Sequence, residues 1–493
     1  MNDALVISDL DPMGSFDVVA PPTARALRTP WWRRGSVVSA MVAFVAFALV
    51  VLTRSSAMLE PDDFAYRASI VALGHGQILL SNAQYLSLKA SLSGSGQGVL
   101  QWHHMASGYW ISEKNPGYPF FAVVFYALGL LRLTPLFYGA LACVGLFVGM
   151  RRWVSERAGA LAVWIYCFSG AALTFAWRAT MPSFSDASLI AAGIGFLVWV
   201  LVAVDAAPRR RAWVGLGAFV ALECAVFIRY TNVLELLVAV AAVVFLARSA
   251  QLARRALVIW GASVLVLGVL VLGFDQWAYG AATSTGYSSG EISFSLSSLW
   301  PNLTGMPAAL TTSLPMWLLA AAALVVIAVR RVRVREGVHG TLARTDARIA
   351  SVLGMGWLSL WALYLCYTWT VNQLGGGPGG HAITVHVIRF YLPALGLIAM
   401  LAAWLVDRFV RPAMIAAVVI LVVAALVSFS AMASSAGVGA PGAGGPGAPG
   451  GPGGPGAGPV GPPAGISATR GVAGAGLGGP GAPPLGAHAT PAH

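Results

Sequence analysis

Residues 37–66 of the chain read VVSAMVAFVAFALVVLTRSSAMLEPDDFAY. The stretch from 37 to 57 is mostly apolar and about 20 residues long, the length that an α-helix needs to cross the hydrocarbon core of a bilayer. An acidic segment, residues 60–63, follows this stretch and would lie at the membrane surface. The sequence therefore predicts a membrane span that ends beside two adjacent aspartates.

The composition extends this interpretation to the whole chain. Of the 493 residues, 58% are hydrophobic and 10% are charged, whereas an ordinary soluble domain is roughly 25% charged. A soluble globular protein is excluded, because it could not remove so much apolar surface from water. We predict an all-α polytopic integral membrane protein with a bundle of about 11 transmembrane helices. After the first span, the predicted spans are 135–150, 158–177, 187–206, 212–230, 231–247, 256–274, 307–329, 349–371, 388–406 and 413–432.

The placement of the basic residues predicts the orientation of the spans. Arginines cluster within residues 25–34, 151–157, 209–211, 248–255, 330–348 and 408–411. All of these clusters lie on the cytoplasmic side if the apolar stretch 116–134 forms a re-entrant or interfacial helix instead of a span. Residues 58–134 then form a long first outer loop with amphipathic or juxtamembrane helices. The net charge of +12 follows from this topology, so no nucleic-acid partner is expected.

The chain divides into three predicted parts. Residues 1–35 form a disordered cytoplasmic N-terminus, residues 36–432 the transmembrane domain, and residues 433–493 a Gly/Pro/Ala-rich disordered tail outside the membrane. We therefore expect a multi-pass protein of the plasma membrane, in the cell envelope. Only Lys89 and Lys114 among the 30 basic residues are lysines, which is typical of a GC-rich genome, such as an actinobacterial one.

With this topology, most of the unusual polar residues fall on the outer side. They comprise residues 60–63, His103, His104, Glu113, Lys114, Arg178, Asp186, Arg229, Tyr230, His381, His386 and residues 389–391. Ionisable groups at membrane level are costly and are by default functional candidates. Residues from separate loops could thus converge on one outward cavity, although chance loop polarity would give the same pattern.

The acidic pair Asp62 and Asp63 is the strongest of these candidates. Pro61 is tolerated at the first position of a helix, so a helix is predicted from here toward Leu73, with Gly74 and glycine 76 ending it. Adjacent carboxylates at a helix N-terminus titrate as a coupled pair, and one can act as a general base while the other orients it. The alternative is a simple helix cap.

Two further segments add charge to the same side. Lys114 stands where the predicted outer loop meets an apolar helix, and a lysine there supplies either a point charge for a phosphate or a snorkelling anchor. Asp186 follows Arg178 in a short loop and begins a predicted span. On its own, Asp186 would be read as a helix cap.

The order of these segments resembles a known superfamily of membrane enzymes. Asp62, Asp63 and Tyr66 resemble the DE-x-x-Y motif of GT-C glycosyltransferases, with Asp63 where the motif has Glu. Residues 114–119, KNPGYP, resemble the K-P-P-L or K-x-P-G segment of the branch with the protein O-mannosyltransferases and the lipid A aminoarabinose transferase. Asn115 stands at the first proline of that pattern.

Three later segments fit the same order. Asp186 resembles the second acidic position of the superfamily, residues 215–230 resemble a small-residue span that ends in a basic residue, and residues 389–393 resemble a late R-Y-x-x-P segment. The resemblance runs from about residue 37 to 432. It implies a GT-C-like catalytic domain over 36–432.

The resemblance implies transfer of a sugar from a polyprenyl-phosphate donor to a hydroxyl acceptor on the outer face. Asp62 is then the predicted general base, with Asp63 as the second candidate. Predicted ligands of the donor phosphate are Lys114 and Arg389, with Arg178 and Arg229 in reserve, and predicted substrate contacts are Asp186, Tyr66, Tyr118, His381, His386 and Tyr391. The acceptor would be a glycan, a lipid or a protein. No cofactor is expected, because the lipid-linked sugar is a substrate.

Other interpretations remain open at this point. A lipid or solute transporter would use acids and arginines along a pathway, but no repeat between halves is evident and most acids gather on one side. A non-catalytic membrane scaffold would serve only to display the Gly/Pro-rich tail. The histidines suggest a metal site. His381 and His386 are five residues apart, however, and this spacing does not place them on one face of a helix, so no metal is indicated. Glu223 and Glu235 lie within predicted spans and have no assigned role.

Overall fold

The computed structural model describes residues 35–54, 61–92, 101–284, 286–287, 293–333, 337–370, 387–408 and the single positions 419 and 423. Within this part of the chain, seven helices are long and apolar enough to cross a membrane, or up to nine if each of two bent helix pairs counts as one span. The predicted all-α polytopic fold is confirmed, but the count of about 11 spans is not. Most of the predicted span 413–432 and almost all of the predicted terminal segments 1–35 and 433–493 lie outside the described residues.

The described elements follow one another along the chain in this order. The first are α1 (Gly35–Thr53), α2 (Pro61–Gly74), α3 (Asn82–Leu92), β1 (Trp102–His104), β2 (Trp110–Ser112), α4 (Gly117–Ala127), α5 (Thr134–Trp153), α6 (Glu156–Cys167), α7 (Gly170–Ala176) and α8 (Ser183–Val202). They continue with α9 (Pro208–Ile228), α10 (Val233–Leu246), α11 (Arg254–Tyr279), α12 (Leu299–Ser313), α13 (Trp317–Arg333), α14 (Gly337–Leu365) and α15 (Leu395–Arg408). Single 3-10 turns precede α5, α10, α12 and α15.

Two of the predicted spans are bent. The stretch 307–329, which was predicted as one span, is broken, because Leu296–Ser313 and Trp317–Arg333 meet at an angle of 104°. The break falls at Pro315, and the residue before a proline is disfavoured in helical conformation. The predicted span 158–177 is bent as well, with 60° between α6 and α7.

Helix α8 is the centre of the bundle and packs most extensively against α5 and α9. Small residues allow α5 and α8 to approach closely, as they do in many membrane helix pairs. A Cβ added to Gly195 of α8 would lie 2.3 Å from the carbonyl of Gly145, and one added to Gly149 would lie 2.4 Å from the oxygen of Gly195. This contact holds the N-terminus of α8, with Asp186 in its first turn, in the middle of the molecule.

The segment between α1 and α5 forms a small layer of its own. Helix α2 starts at Pro61 and ends at Gly74, with glycine 76 at a φ of +72°, so the predicted helix is confirmed. Strands β1 and β2 pair antiparallel, with His104 opposite Trp110. The apolar side chains that join these pieces are Ala68, Ala72, Leu80, Tyr85 and Trp102.

Helix α4 links this layer to the bundle. It packs on α2 and α9, and its 11 residues are too few to cross a bilayer, which takes about 20. This length agrees with the prediction that residues 116–134 form a short helix instead of a span. The packing of α4 on α2 places the start of α2, and with it the acidic pair, against the end of α9.

Candidate functional site

A cavity of about 340 Å³ lies where the start of α2, the end of α9, the end of α14 and the segment before α15 meet. Charged residues form one part of its wall and aromatic residues another. The lining residues are Asp62, Tyr66, Asn115, Met181, Pro182, Ile228, Arg229, Tyr230, Thr231, Tyr287, Phe294, Tyr364, Tyr367, Arg389 and Phe390. Residues that are far apart in the sequence therefore converge on one site.

Asp62 presents its carboxylate to this cavity between two cations. Lys114 Nζ lies 2.8 Å from Asp62 Oδ1, and Arg389 Nη1 lies 3.0 Å from Asp62 Oδ2. The side chain of Asp62 is 20% exposed, while that of Lys114 is 4% exposed. Lys114 also donates a hydrogen bond of 3.0 Å to the hydroxyl of Tyr287. Two cations that were predicted to bind a phosphate thus form ion pairs with a carboxylate.

Asp63 has a different environment from its neighbour. It is fully buried and forms an ion pair with Arg178, whose side chain is 2% exposed. The hydroxyl of Thr180 donates a hydrogen bond of 3.0 Å to the other carboxylate oxygen of Asp63. These contacts fasten α2 to the loop before α8, and neither Asp63 nor Arg178 lines the cavity.

Asp186 and Arg229 form a second buried pair. Arg229 Nε lies 3.2 Å from Asp186 Oδ2, and the other oxygen of Asp186 accepts a hydrogen bond of 2.7 Å from the N–H of Ala187. Arg229 also donates to the carbonyl oxygen of Arg389 at 3.2 Å. Arg229 lines the cavity and Asp186 does not, so Asp186 lies behind the arginine and orients it.

The three predicted tyrosines occupy different places. Tyr66 lines the cavity, and burial raises its pKa, with Tyr287 adding to the rise and Lys114 opposing it. Tyr118 is fully buried and donates a hydrogen bond of 2.6 Å to the carbonyl of Ala179. Tyr391 is also fully buried, with its carbonyl accepting from Trp361 at 3.2 Å. Only Tyr66 of the three can touch a ligand in the cavity as described.

The aromatic wall was not foreseen from the sequence. Tyr364 and Phe390 stack with their centroids 5.1 Å apart, and Phe294 and Tyr367 stack at 5.2 Å. Tyr287, which also lines the cavity, was not predicted as a site residue either. Aromatic residues at the ends of membrane spans are usually interfacial anchors. The sequence therefore did not distinguish the aromatic residues of the cavity wall from such anchors.

The remaining candidates lie elsewhere. His381 and His386 are outside the described residues, and His103 and His104 are exposed on β1. In the part of the chain that the structure describes, no group of three or more His, Cys, Asp or Glu side chains is placed to hold a metal ion.

Glu223, an acid within a predicted span, accepts a hydrogen bond of 2.9 Å from Ser263.

Glu235 is a buried acid on α10, facing α14. It is fully buried beside Gly356, and neither carboxylate oxygen has a hydrogen-bond partner among the described residues. Glu235 had no predicted role, and it does not line the cavity.

Comparisons with known proteins give similarity at the level of structures. No family model matches the chain, and no curated protein matches it. ArnT from Cupriavidus metallidurans in the apo state is 16% identical, with a TM-score of 0.39, over 76% of this chain and 78% of that one. The oligosaccharyltransferase of Archaeoglobus fulgidus in the apo form is 11% identical, with a TM-score of 0.46, over 82% of this chain and 56% of that one.

ArnT has also been solved with undecaprenyl phosphate bound. That structure is 14% identical to this chain, with a TM-score of 0.35, over 76% of this chain and 78% of the other. ArnT and the oligosaccharyltransferase are both members of the GT-C superfamily.

Proposed function

We propose that the protein is a glycosyltransferase that moves a sugar from a polyprenyl-phosphate donor to a hydroxyl acceptor on the outer face of the membrane. The observation that carries this proposal is the placement of Asp62. Its carboxylate faces a cavity between Lys114 and Arg389, while its neighbour Asp63 is buried in a separate ion pair. The motif order that resembles GT-C enzymes supplies the reaction class.

Asp62 is the general base in this proposal. The acceptor oxygen forms a bond to the anomeric carbon of the sugar, and its proton passes to the carboxylate of Asp62. The bond between the anomeric carbon and the phosphate oxygen breaks, and its electron pair leaves with the polyprenyl phosphate. The transition state resembles the oxocarbenium ion of glycoside cleavage. A single acid suffices because the leaving phosphate needs no proton.

Lys114 and Arg389 act first on Asp62 and then on the donor phosphate. They neutralise Asp62, each pairing with one of its oxygens. A donor phosphate offers these cations a second anion, and their movement toward it would release Asp62 to accept a proton. The same cations then stabilise the charge that grows on the leaving phosphate, an effect that is strong in a site with little water.

Arg229 adds to the positive charge of the cavity. Its own counter-ion, Asp186, lies behind it, so the guanidinium remains in the wall while its orientation is held. Together with Lys114 and Arg389, and against Asp62 and Asp186, it leaves one positive formal charge, which matches the single negative charge of a phosphodiester donor. Arg178 is better explained as the partner of Asp63 than as a phosphate ligand, because it does not line the cavity.

A strain that lacks the protein tests the proposal. Surface glycans and pools of polyprenyl-phosphate sugars are compared after complementation with wild type, Asp62→Asn, Lys114→Met and the matched control Lys89→Met at equal expression. Lys89 is exposed on α3. We expect loss of a glycan and accumulation of its donor in the deletion, restored by wild type and Lys89→Met. Asp62→Asn should lower transfer by about 10²–10⁴-fold, and Lys114→Met should lower it as well.

Each result has a separate meaning. Restoration of the glycan by Asp62→Asn would exclude Asp62 as the base. Unchanged glycans and donor pools in the deletion strain would instead favour a transporter or a scaffold. Equal effects of Lys114→Met and Lys89→Met would remove the phosphate-binding role of Lys114.

A further inference from the structure

Tyr230 lines the cavity opposite a buried acid that has no role so far. The residue begins the 3-10 turn Tyr230–Asn232, directly after α9. Its hydroxyl donates a hydrogen bond of 2.6 Å to Asp275 Oδ1. Asp275 lies near the end of α11, is 4% exposed, and is not part of the cavity wall. A carboxylate outside the wall therefore holds the hydroxyl of a residue that lines the cavity.

This hydrogen bond determines what Tyr230 can offer to a ligand. A tyrosine hydroxyl has one proton to donate and lone pairs that accept. Because the proton of Tyr230 points to Asp275, the hydroxyl oxygen can only accept hydrogen bonds from the cavity. A carboxylate partner shortens and strengthens such a bond, so the direction of the proton is well defined.

One part of the cavity wall thus donates hydrogen bonds, and another part accepts them. Arg229 and Arg389, with Lys114 beside them, present only donors, which suit the oxygens of a phosphate. Tyr230 presents an acceptor, which a phosphate diester cannot use because it has no proton to donate. The group that Tyr230 fits is a hydrogen-bond donor, such as a hydroxyl or an amine of the sugar.

We infer that Tyr230 selects the donor sugar by accepting a hydrogen bond from one of its hydroxyl or amino groups, and that Asp275 is the positioning residue that keeps Tyr230 an acceptor. The inference rests on the proposed function and names the part of the donor that this wall recognises. A site built to bond a substrate hydroxyl discriminates strongly against an analogue without it. For a single hydrogen bond of this kind, we expect about a 10–100-fold effect on affinity.

Two variants separate the roles of the pair. Tyr230→Phe removes the acceptor and keeps the ring. Asp275→Ala leaves the hydroxyl of Tyr230 in place but frees its proton, so the hydroxyl can also donate into the cavity and its selectivity should fall. Tyr279→Phe is the matched control, because Tyr279 lies one turn beyond Asp275 on α11 and bonds the carbonyl oxygen of Ser112 outside the cavity.

Binding to the purified full-length protein provides the test. Affinities are measured for undecaprenyl phosphate and for its esters with mannose, glucose, N-acetylglucosamine and arabinose. In wild type and Tyr279→Phe, at least one sugar ester should bind about 10–100-fold more tightly than the bare phosphate. Tyr230→Phe should lose this gain and Asp275→Ala should reduce it, while the affinity of both variants for the bare phosphate stays at the wild-type level.

The outcomes distinguish this inference from the proposed function. Failure of wild type to bind undecaprenyl phosphate would overturn both. Binding of the bare phosphate with no gain from any of these sugars would overturn only the inference, as would a gain that survives Tyr230→Phe. Unchanged affinity for the bare phosphate shows that a variant is folded.

Discussion

The adjacent residues Asp62 and Asp63 differ because a helix separates successive side chains by roughly 100° around its axis. At this scale the first aspartate faces the cavity, where it is 20% exposed, and the second faces the interior, where it is fully buried. Exposure suits a residue that must exchange a proton with an acceptor. Burial in an ion pair suits a residue that holds α2 in place.

Asp63→Asn should destabilise the protein more than Asp62→Asn does, because Asp63 is fully buried whereas Asp62 is 20% exposed. Removal of the charge leaves Arg178 buried without its carboxylate, and loss of one partner from a buried ion pair costs roughly 3–5 kcal/mol. Thermal unfolding of the purified variants in detergent measures the difference. Equal stability of the two variants would contradict the structural role of Asp63.

The tyrosines of the cavity predict how stability depends on pH. Burial raises the pKa of Tyr66 and of Tyr287, and for Tyr287 the charge of Asp62 adds to the rise. The folded protein therefore retains protons that the unfolded chain releases above about pH 10, so the free energy of unfolding should fall as the pH rises beyond that value. Unfolding of wild type and of the variant with Tyr66→Phe and Tyr287→Phe is compared between pH 8 and 11. The variant should show the shallower fall, and equal slopes would contradict this explanation.

The sequence identified the charged residues of the site better than its aromatic ones. Asp62, Lys114, Arg229 and Arg389 were singled out because a charge at membrane level is costly. Asp62, Arg229 and Arg389 line one cavity, and Lys114 is paired with Asp62. Tyr364 and Tyr367 could not be found in this way, because an aromatic residue at the end of a span has a common structural explanation. Their part in the site depends on long-range packing between α14 and the segment before α15.

At the scale of single elements, the sequence predicted the ends of a helix correctly where a proline or a glycine determines the backbone conformation. Pro61 and Gly74 mark the ends of α2, and both were read from the sequence. The break within the apolar stretch 307–329 was not predicted, because hydropathy alone does not show where a helix changes direction. Pro315 interrupts the helix there, and the chain turns by 104°.

The contact between α5 and α8 predicts a large effect of a single methyl group. Gly195→Ala would place its Cβ 2.3 Å from the backbone of Gly145, so the two helices would have to separate, at a cost of about 1–3 kcal/mol. Gly217→Ala on α9 is the matched control, because nothing lies within 4 Å of the added Cβ. The control should be neutral or stabilised by up to about 1 kcal/mol. Thermal unfolding midpoints measure both, and a Gly195→Ala protein as stable as the control would contradict the close packing.

At the scale of the whole molecule, the cavity and a basic cluster lie at opposite ends of the same helical stretch. Val387–Arg408 has 22 residues and, at roughly 1.5 Å per residue, spans about 33 Å, near the hydrocarbon thickness of about 30 Å. Arg389 reaches Asp62 at one end, and Arg408 lies 3.7 Å from Asp346 at the other. Since basic clusters favour the cytoplasmic side, we expect the cavity to open on the other face.

Labelling of single cysteines tests that orientation. In a background with the four native cysteines replaced by alanine, Lys89→Cys on α3 and Arg331→Cys at the end of α13 are both placed at exposed positions. A maleimide that does not cross membranes should label Lys89→Cys in intact cells and should label Arg331→Cys only after permeabilisation, because the arginines of α13 belong to the basic side. The background protein, without cysteine, controls for other reactions. The reverse pattern would put the Asp62 cavity on the cytoplasmic side, where an acceptor in the cell envelope could not reach it, and would contradict transfer on the outer face even if Asp62 proved essential.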